Sequence, residues 1–297
     1  MDNIECKICK SRSKYLISKD GYDHYLCSEC SFVFVYPSLN REYISNEIYS
    51  EKNNYQKNKK NKIVVKRPTD KQEKIFRFIS LTQGKSILDI GSSNGEFMIF
   101  CKERGLDVKG VEINKSTADF ALSLGLSVFN GPIESYDTRE KFDYVYLGDV
   151  IEHVEDPVFL IKKCKDLLKD NGYIIVITPN LDSVWSKLTY RLYKYFKIPW
   201  SSLEPPYHLS NFKTKTIQYL FSSLNLKMFS KWKNKMPTLK YELGSLHLVK
   251  RYKKEKTMKN FIFVCFAFIL YTLIYMINKI FHPFFREGFS MTYIAKK

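Results

Sequence analysis

The chain contains no internal repeat, which excludes a solenoid or a propeller. An apolar leader is not expected either. Met1 to Glu5 is polar and a cysteine pair follows at once, so no secretory signal is expected. The seven cysteines are accordingly expected in a reducing cytosol, where paired cysteines mean metal rather than disulfide. Acidic residues are scarce. Thirty-one Asp and Glu face forty-eight Lys and Arg, a formal charge of +17. That imbalance favours an anionic partner: nucleic acid, an acidic membrane face or a phosphorylated substrate. A drift of composition towards Lys and Asn accounts for it equally well. No aromatic and basic stacking platform is evident, which argues against nucleic acid.

What remains is a chain of 297 residues, enough for one large α/β domain and a small accessory module. Residues 1–45 form a cysteine-bounded module. Residues 46–74 are Lys- and Asn-rich and read as a linker grading into a helix. Residues 75–245 alternate β-rich runs with helical segments, the pattern of a parallel sheet covered by helices. The expected strands are SILDI (86–90), VKGVEI (108–113), SVFNG (127–131), FDYVYL (142–147), GYIIVITPN (172–180) and LKMFSKW (226–232). Helices are expected from Glu96 to Gly105, Ser116 to Leu124 and Asp156 to Lys169. Residues 246–289 hold a basic stretch and an apolar run, and SMTYIA within 290–297 supplies a seventh strand.

In the N-terminal module Cys6 and Cys9 form one C-x-x-C and Cys27 and Cys30 another, with seventeen residues between the pairs. Two such turns bring four sulfurs into the tetrahedron that suits zinc. So short a module buries too little surface to fold unaided, and a metal supplies the missing stability. Four thiolates leave the metal no open position, so the expected role is structural. The aromatic run SFVFVYP (31–37) is placed to pack the module against the main domain. Four unligated thiols are the alternative.

The decisive stretch is ILDIGSSNGEF (87–97). A buried strand enters a small-residue loop and then a helix, whose first amides lack partners. Gly91 permits the tight turn, and Ser93 and Gly95 let a ligand approach the backbone. Asp89 stands two residues before Gly91, where a carboxylate suits a ligand with an ammonium rather than a phosphate. S-adenosylmethionine carries an ammonium and a sulfonium. Glu112, at the end of the second strand about 20 residues on, can accept hydrogen bonds from ribose hydroxyls.

Residues 86–180 resemble a class I methyltransferase, through LDIGSSNGEF, GVEIN, DYVYLGDVIEHVEDP and LLKDNGYIIVITPN. The segment DVIEHVEDP (149–157) is similar to the fourth-strand motif of the group that includes ubiquinone-biosynthesis methyltransferases. The pattern C-x-x-C … C-x-x-C-S-F-V-F-V-Y-P resembles the zinc ribbon fused to methyltransferases of bacterial surface-polysaccharide synthesis. Trp200 with PPYHLSNF (205–212) matches the P-x-H-L-x-x-F block of that branch. One departure is Ser93, where the family more often has Gly. The resemblance implies a Rossmann-like seven-stranded α/β methyltransferase sheet with an N-terminal zinc ribbon and a C-terminal apolar helical insertion. It implies that Asp89, Gly91, Ser93 and Gly95 hold the methionine end of S-adenosylmethionine and that Glu112 holds the ribose. Pro132 and Ile133 would border the adenine, and Asp149 would lie near the methionine moiety or the acceptor.

Methyl transfer needs a positioned acceptor and a group to take its proton. His153 and His208 are the candidate bases. In the ubiquinone branch a D/E-x-x-E-H spacing can hold a divalent cation, and Asp149, Glu152 and His153 match it; the alternative is that Glu152 and His153 cap and orient a helix. Glu204-Pro205-Pro206-Tyr207 resembles the signature of amino-methylating nucleic-acid enzymes but falls after the fifth strand instead of the fourth.

The run FIFVCFAFILYTLIYMI (261–277) holds seventeen residues without a charge, at the lower limit for crossing a bilayer. Lys250, Arg251, Lys253, Lys254, Lys256 and Lys259 precede it, and Lys279 and Arg286 follow, a pattern that suits an anionic cytoplasmic leaflet. A single crossing would strand the terminal strand outside. The open readings are an interfacial or re-entrant helix, a hairpin turning at Pro283, or a buried helix. The expected function is methylation of a small molecule or glycan, with a lipid-linked sugar of surface polysaccharide synthesis as acceptor, by a cytoplasmic enzyme that contacts the inner membrane face through 250–285. The rivals are an RNA methyltransferase gripping phosphate through the ribbon and the basic surface, and a binding protein without catalysis.

Overall fold

A computed structural model describes residues 4–39, 69–234, 236, 238–246, 248 and 256–297. The expected linker over 46–68 and the cations Lys250, Arg251, Lys253 and Lys254 lie outside the described residues.

The main body is built on a seven-stranded sheet. Its strands are β5 (Ser86–Ile90), β6 (Asp107–Glu112), β7 (Ser127–Asn130), β8 (Phe142–Gly148), β9 (Leu168–Pro179), β11 (Lys227–Lys233) and β12 (Ser290–Lys296). Their order is β7-β6-β5-β8-β9-β12-β11. β5 pairs in parallel with β6 and β8, and β8 with β9. β12 enters antiparallel between β9 and β11, all seven of its residues paired with Tyr173 to Pro179. The central strands are nearly continuous apolar runs because both faces are covered. Period-two alternation sends neighbours to opposite faces. Ile174 and Val176 join one core with Leu88, Val145 and Tyr293, whereas Ile175 and Ile177 join the other with Ile87, Val108 and Tyr144.

Helices α1 (Asp70–Thr82) and α2 (Glu96–Lys102) cover one face through Ile75, Phe78, Met98 and Cys101. α3 (Lys115–Ser123) packs by Ala118 and Ala121. α4 (Pro157–Leu167) covers the other face through Leu160, Ile161 and Cys164, and α6 (Thr214–Ser223) through Ile217, Leu220 and Phe221. The starts are chemically marked. Thr69 and Gln72 form a capping box on α1, and Asp156 caps α4 ahead of Pro157. Two helix ends fall more than one residue short of the sequence reading. α2 ends at Lys102, short of Gly105. α4 stops at Leu167, because buried Leu168 already pairs with Phe142 as the first residue of β9. The polar Lys169 to Gly172, expected to run from the helix end to the strand start, is an irregular part of that strand.

The N-terminal sheet contains β1 (Ile4–Glu5), β2 (Arg12–Lys19), β3 (Tyr22–Cys27) and β4 (Val33–Val35), and it is completed by β10 (Ser210–Asn211) from the main body. Phe32 stacks on Phe34 and meets Phe212, each at 5.3 Å between centroids. Cys6, Phe32 and Phe34 share one apolar cluster with Leu160 and Ile217, so the aromatic run docks the module as its composition predicts.

The C-terminal helices are α5 (Val184–Phe196), α7 (Leu239–Ser245) and α8 (Met258–Phe281). α8 contains the whole apolar run as one continuous helix, followed by a short 3₁₀ turn at His282–Phe284, and no hairpin turns within it.

Candidate active site

The carboxyl ends of β5, β6 and β8 open into one cleft of about 1170 Å³, where open α/β sheets bind ligands. That volume exceeds the range of about 300–1,000 Å³ usual for one ligand and leaves room for cofactor and acceptor together. Gly91, Ser93, Glu112, Pro132, Ile133, Asp149, His153 and His208 all line it. Asp89, on β5, and Gly95, at the start of α2, are not among the residues that line it.

Gly91 has φ +74, and a Cβ there would meet Val150 at 2.6 Å. Gly95 has φ +83 and begins α2, its missing side chain leaving space that Leu126 fills. Ser93 adopts φ 52, so a left-handed position often held by glycine is here occupied by a small residue. Its amide donates to Glu112 Oε2 at 2.7 Å, and the Asn114 amide donates to Oε1 at 2.7 Å. Both carboxylate oxygens are thereby oriented by backbone at the cleft edge.

Asp89 is 2% exposed. Burial, together with the negative charge of Glu112, pushes its carboxyl well above the usual carboxylate range. Among the described residues none donates a hydrogen bond to it or pairs with it. Such a group is costly unless a cation or donor arrives.

The opposite wall comes from the segment after β8 and the loop before β10. Asp149, at φ 57, is ion-paired with Lys71 of α1 at 3.0 Å. Ile151–His153 form a 3₁₀ turn. Glu152 is 2% exposed and accepts from Thr178 Oγ1 at 3.0 Å. Burial, then the neighbouring Asp149, raises its carboxyl well above the ordinary value. His153 Nδ1 lies 2.8 Å from the carbonyl oxygen of Tyr207, and its ring sits 5.0 Å from that of His208. His208 is 9% exposed and its Nδ1 has no partner. Burial, with the charges of His153 and Lys19, pushes its imidazole well below the ordinary range, so it is neutral near pH 7.

Glu152, His153 and His208 offer ligand atoms within 4.8 Å of one another, a donor set able to hold a divalent cation. Of the D/E-x-x-E-H trio, Glu152 and His153 converge, but Asp149 is outside the group, its carboxylate turned to Lys71. Lys71, Asn234, Met236 and Tyr241 also line the cleft and were missed by sequence reasoning. Lys71 sits in the first turn of α1, and nothing in its polar surroundings marks it in the sequence.

Away from the cleft, the four ribbon sulfurs converge. Cys6 and Cys30 are 3.5 Å apart, Cys9 and Cys27 are 3.3 Å apart, and all four lie within 4.8 Å of one another. Zinc bonds of about 2.3 Å place tetrahedral sulfurs about 3.8 Å apart, so the cage fits. Each C-x-x-C is closed by a left-handed residue, Lys10 at φ 62 and Ser31 at φ 61. The turns are held by Lys10 N donating to Cys6 O and Cys27 N donating to Phe32 O.

This strand order, with a small-residue loop after β5 and an acidic tip on β6, defines the class as a Rossmann-like methyltransferase domain. A family model described as a methyltransferase domain matches residues 63–231, and the chain belongs to that family. The ubiquinone biosynthesis O-methyltransferase of Bradyrhizobium diazoefficiens is 32% identical over 116 residues, 37% of this chain and 46% of that protein. The protein of that description from Stutzerimonas stutzeri is 30% identical over 114 residues, 36% of this chain and 49% of the other. The chain thus spans about half the length of the curated relatives it matches. Among solved structures, magnesium protoporphyrin IX methyltransferase from Synechocystis PCC 6803 with bound SAH aligns over 86% of this chain and 97% of that one. The TM-score is 0.50 at 12% identity, a likeness of fold.

Proposed function

We propose that the protein transfers a methyl group from S-adenosylmethionine to a small-molecule or glycan acceptor, with a lipid-linked sugar at the cytoplasmic membrane face as the favoured acceptor. The observation that carries the cofactor reading is the unpartnered carboxylate of Asp89 under the Gly91–Gly95 loop. An ammonium delivered there relieves the cost of its burial. Glu112 receives the ribose hydroxyls, Pro132 and Ile133 flank the adenine, and Gly91, Ser93 and Gly95 allow the close backbone approach. Zinc in the Cys6, Cys9, Cys27 and Cys30 cage is structural.

S-adenosylmethionine supplies an activated methyl on a sulfonium, which leaves as a neutral thioether. The acceptor heteroatom must lie in line with that bond, and its proton must go to a base. His208 is one candidate, a neutral imidazole that lines the cleft. His153, anchored to the Tyr207 carbonyl, stands beside it as the second candidate.

Labelled cofactor incubated with fractionated cell envelope tests this. Label is expected in lipid-linked glycan with the natural protein and lost with Glu112→Ala, whose cooperative melting confirms that it folds. Label in RNA, or no calorimetric binding of the cofactor, overturns the reading.

A further inference from the structure

α8 has two apolar faces, and among the described residues only one has a partner. On the inner face Ala267, Tyr271 and Tyr275 are buried against α5 and α7. Trp185 meets Tyr271 at 5.0 Å and Tyr275 at 5.5 Å, and the Tyr271 hydroxyl donates to buried Glu242 at 2.7 Å. The outer face consists of Ile262, Phe266, Ile269, Leu273, Ile277 and Ile280, each 44–66% exposed. Their spacing of three, four and seven makes one continuous stripe along the helix. A helix on the surface of a water-soluble protein carries charge on that side. From 256 to 286 there is no acidic residue, and exposed Lys256, Lys259, Lys279 and Arg286 stand at the two ends. The patch extends onto α5, where Phe196 meets Phe266 at 5.8 Å and Tyr195 is 69% exposed.

We propose that this face docks in the plane of an anionic lipid bilayer, with α8 lying in the headgroup and upper acyl region instead of crossing it. Charge complementarity selects the occupant. The stripe offers hydrocarbon to the acyl chains while cations at both ends meet lipid phosphates. At 24 residues the helix is long enough to span. Crossing would tear Tyr271 from Glu242, and β12, which begins nine residues after the helix, would lose its place between β9 and β11. The inner face of α8 borders the cleft, since buried Asn278 contacts Met236 at 3.0 Å and Met236 lines the cleft. The docking rests on the helix alone and stands whether or not the methyl-transfer reading does.

Cys265 lies on the outer face and is exposed, whereas the six other cysteines are buried or half-buried. The zinc-loaded full chain carrying the fluorophore NBD on Cys265 is mixed with phosphatidylcholine vesicles with and without phosphatidylglycerol. The expected result is a blue shift with the anionic vesicles, quenched more by nitroxides near the headgroups than by nitroxides near the chain ends. Ile269→Glu with Leu273→Glu abolishes the shift while cofactor binding is kept, and Lys256→Glu with Lys259→Glu weakens partitioning about tenfold or more. No shift with any vesicle overturns the proposal. So does stronger quenching at the bilayer centre, which means a span. A shift without vesicles, accompanied by a dimer mass in light scattering, overturns it in favour of a second copy of the chain.

Discussion

The two sheets of this molecule are held together by different means. The seven-stranded sheet buries both faces under its own helices, and Ile174, Ile175, Val176 and Ile177 are each 0% exposed. In the N-terminal sheet β1 and β4 have only two and three residues, and Tyr15 on β2 and Tyr36 just after β4 remain open to solvent. It relies instead on a cage of four cysteines between two turns and on β10 from the main body. This reliance binds the main body too. Lys19 donates to the Trp200 carbonyl at 2.9 Å and to that of Leu203, Val35 N donates to Leu209 O at 3.0 Å, and Thr216 Oγ1 donates to Cys30 O at 2.8 Å. The ribbon is therefore the back wall of the loop that carries His208, while the Asp89–Glu112 pocket belongs to the self-sufficient sheet. If the four cysteines hold zinc as proposed, one end of the cleft depends on that metal and the other does not.

Removing the metal is the strongest way to break that comparison. Structural zinc in small modules contributes on the order of 10 kcal/mol. Chelation, or Cys9→Ser, is expected to strip amide-exchange protection from residues 4–39 and 200–212 while 86–112 stays protected. The cofactor dissociation constant should change by less than about threefold, because none of the described ribbon residues lines that pocket. A single cooperative collapse of all these segments on chelation would show that the two sheets form one unit after all.

The same contrast governs what could be read from the sequence. All seven strands of the main sheet were legible because apolar runs and turn residues are local signals. Even β12, more than a hundred residues after β9 in the chain, was marked by its own composition. Asp89 and Glu112 were legible because each sits at a strand end in register with the loop. β10 was not. Two residues, Ser210 and Asn211, carry no periodicity, and their strand character comes from β4. Lys19 reads as a solvated charge yet is 8% exposed, since its partners are carbonyls about 180 residues away. Lys71 and the convergence of His208 with Glu152 and His153 are likewise products of tertiary contact. α8 was legible as apolar but not as two-faced, because both faces have the same chemistry and only packing distinguishes them.

A smaller test stays within the self-sufficient sheet. Gly95→Ala adds one methyl at φ +83 and drives it into Leu126. The left-handed conformation and the overpacking together should lower unfolding free energy by about 2–4 kcal/mol, measured by denaturant titration. Gly125→Ala, also at positive φ but with open space around its Cβ, should cost only about 1 kcal/mol, the conformational part alone. Equal losses at the two sites would mean that the loop yields and that the close packing of Leu126 does not restrain it.

The smallest effect has the opposite sign. Asp89 has a raised folded-state pKa, so the folded protein holds its proton where the unfolded chain, titrating near 3.9, has released it. The resulting penalty is absent below that unfolded value and grows as pH rises through the interval up to the folded one. Asp89→Asn removes the ionisable group and keeps the shape. The ligand-free variant should therefore be more stable than the natural protein at pH 7, by on the order of 1 kcal/mol, with the difference shrinking as pH falls towards 4. Cofactor binding should weaken sharply at the same time, because the ammonium loses its counter-charge. Thermal melts across that pH range, paired with calorimetry at pH 7, check both halves. A variant that is less stable at pH 7 would mean that the carboxylate is already compensated in the empty protein, which would remove the physical basis for placing an ammonium beside it.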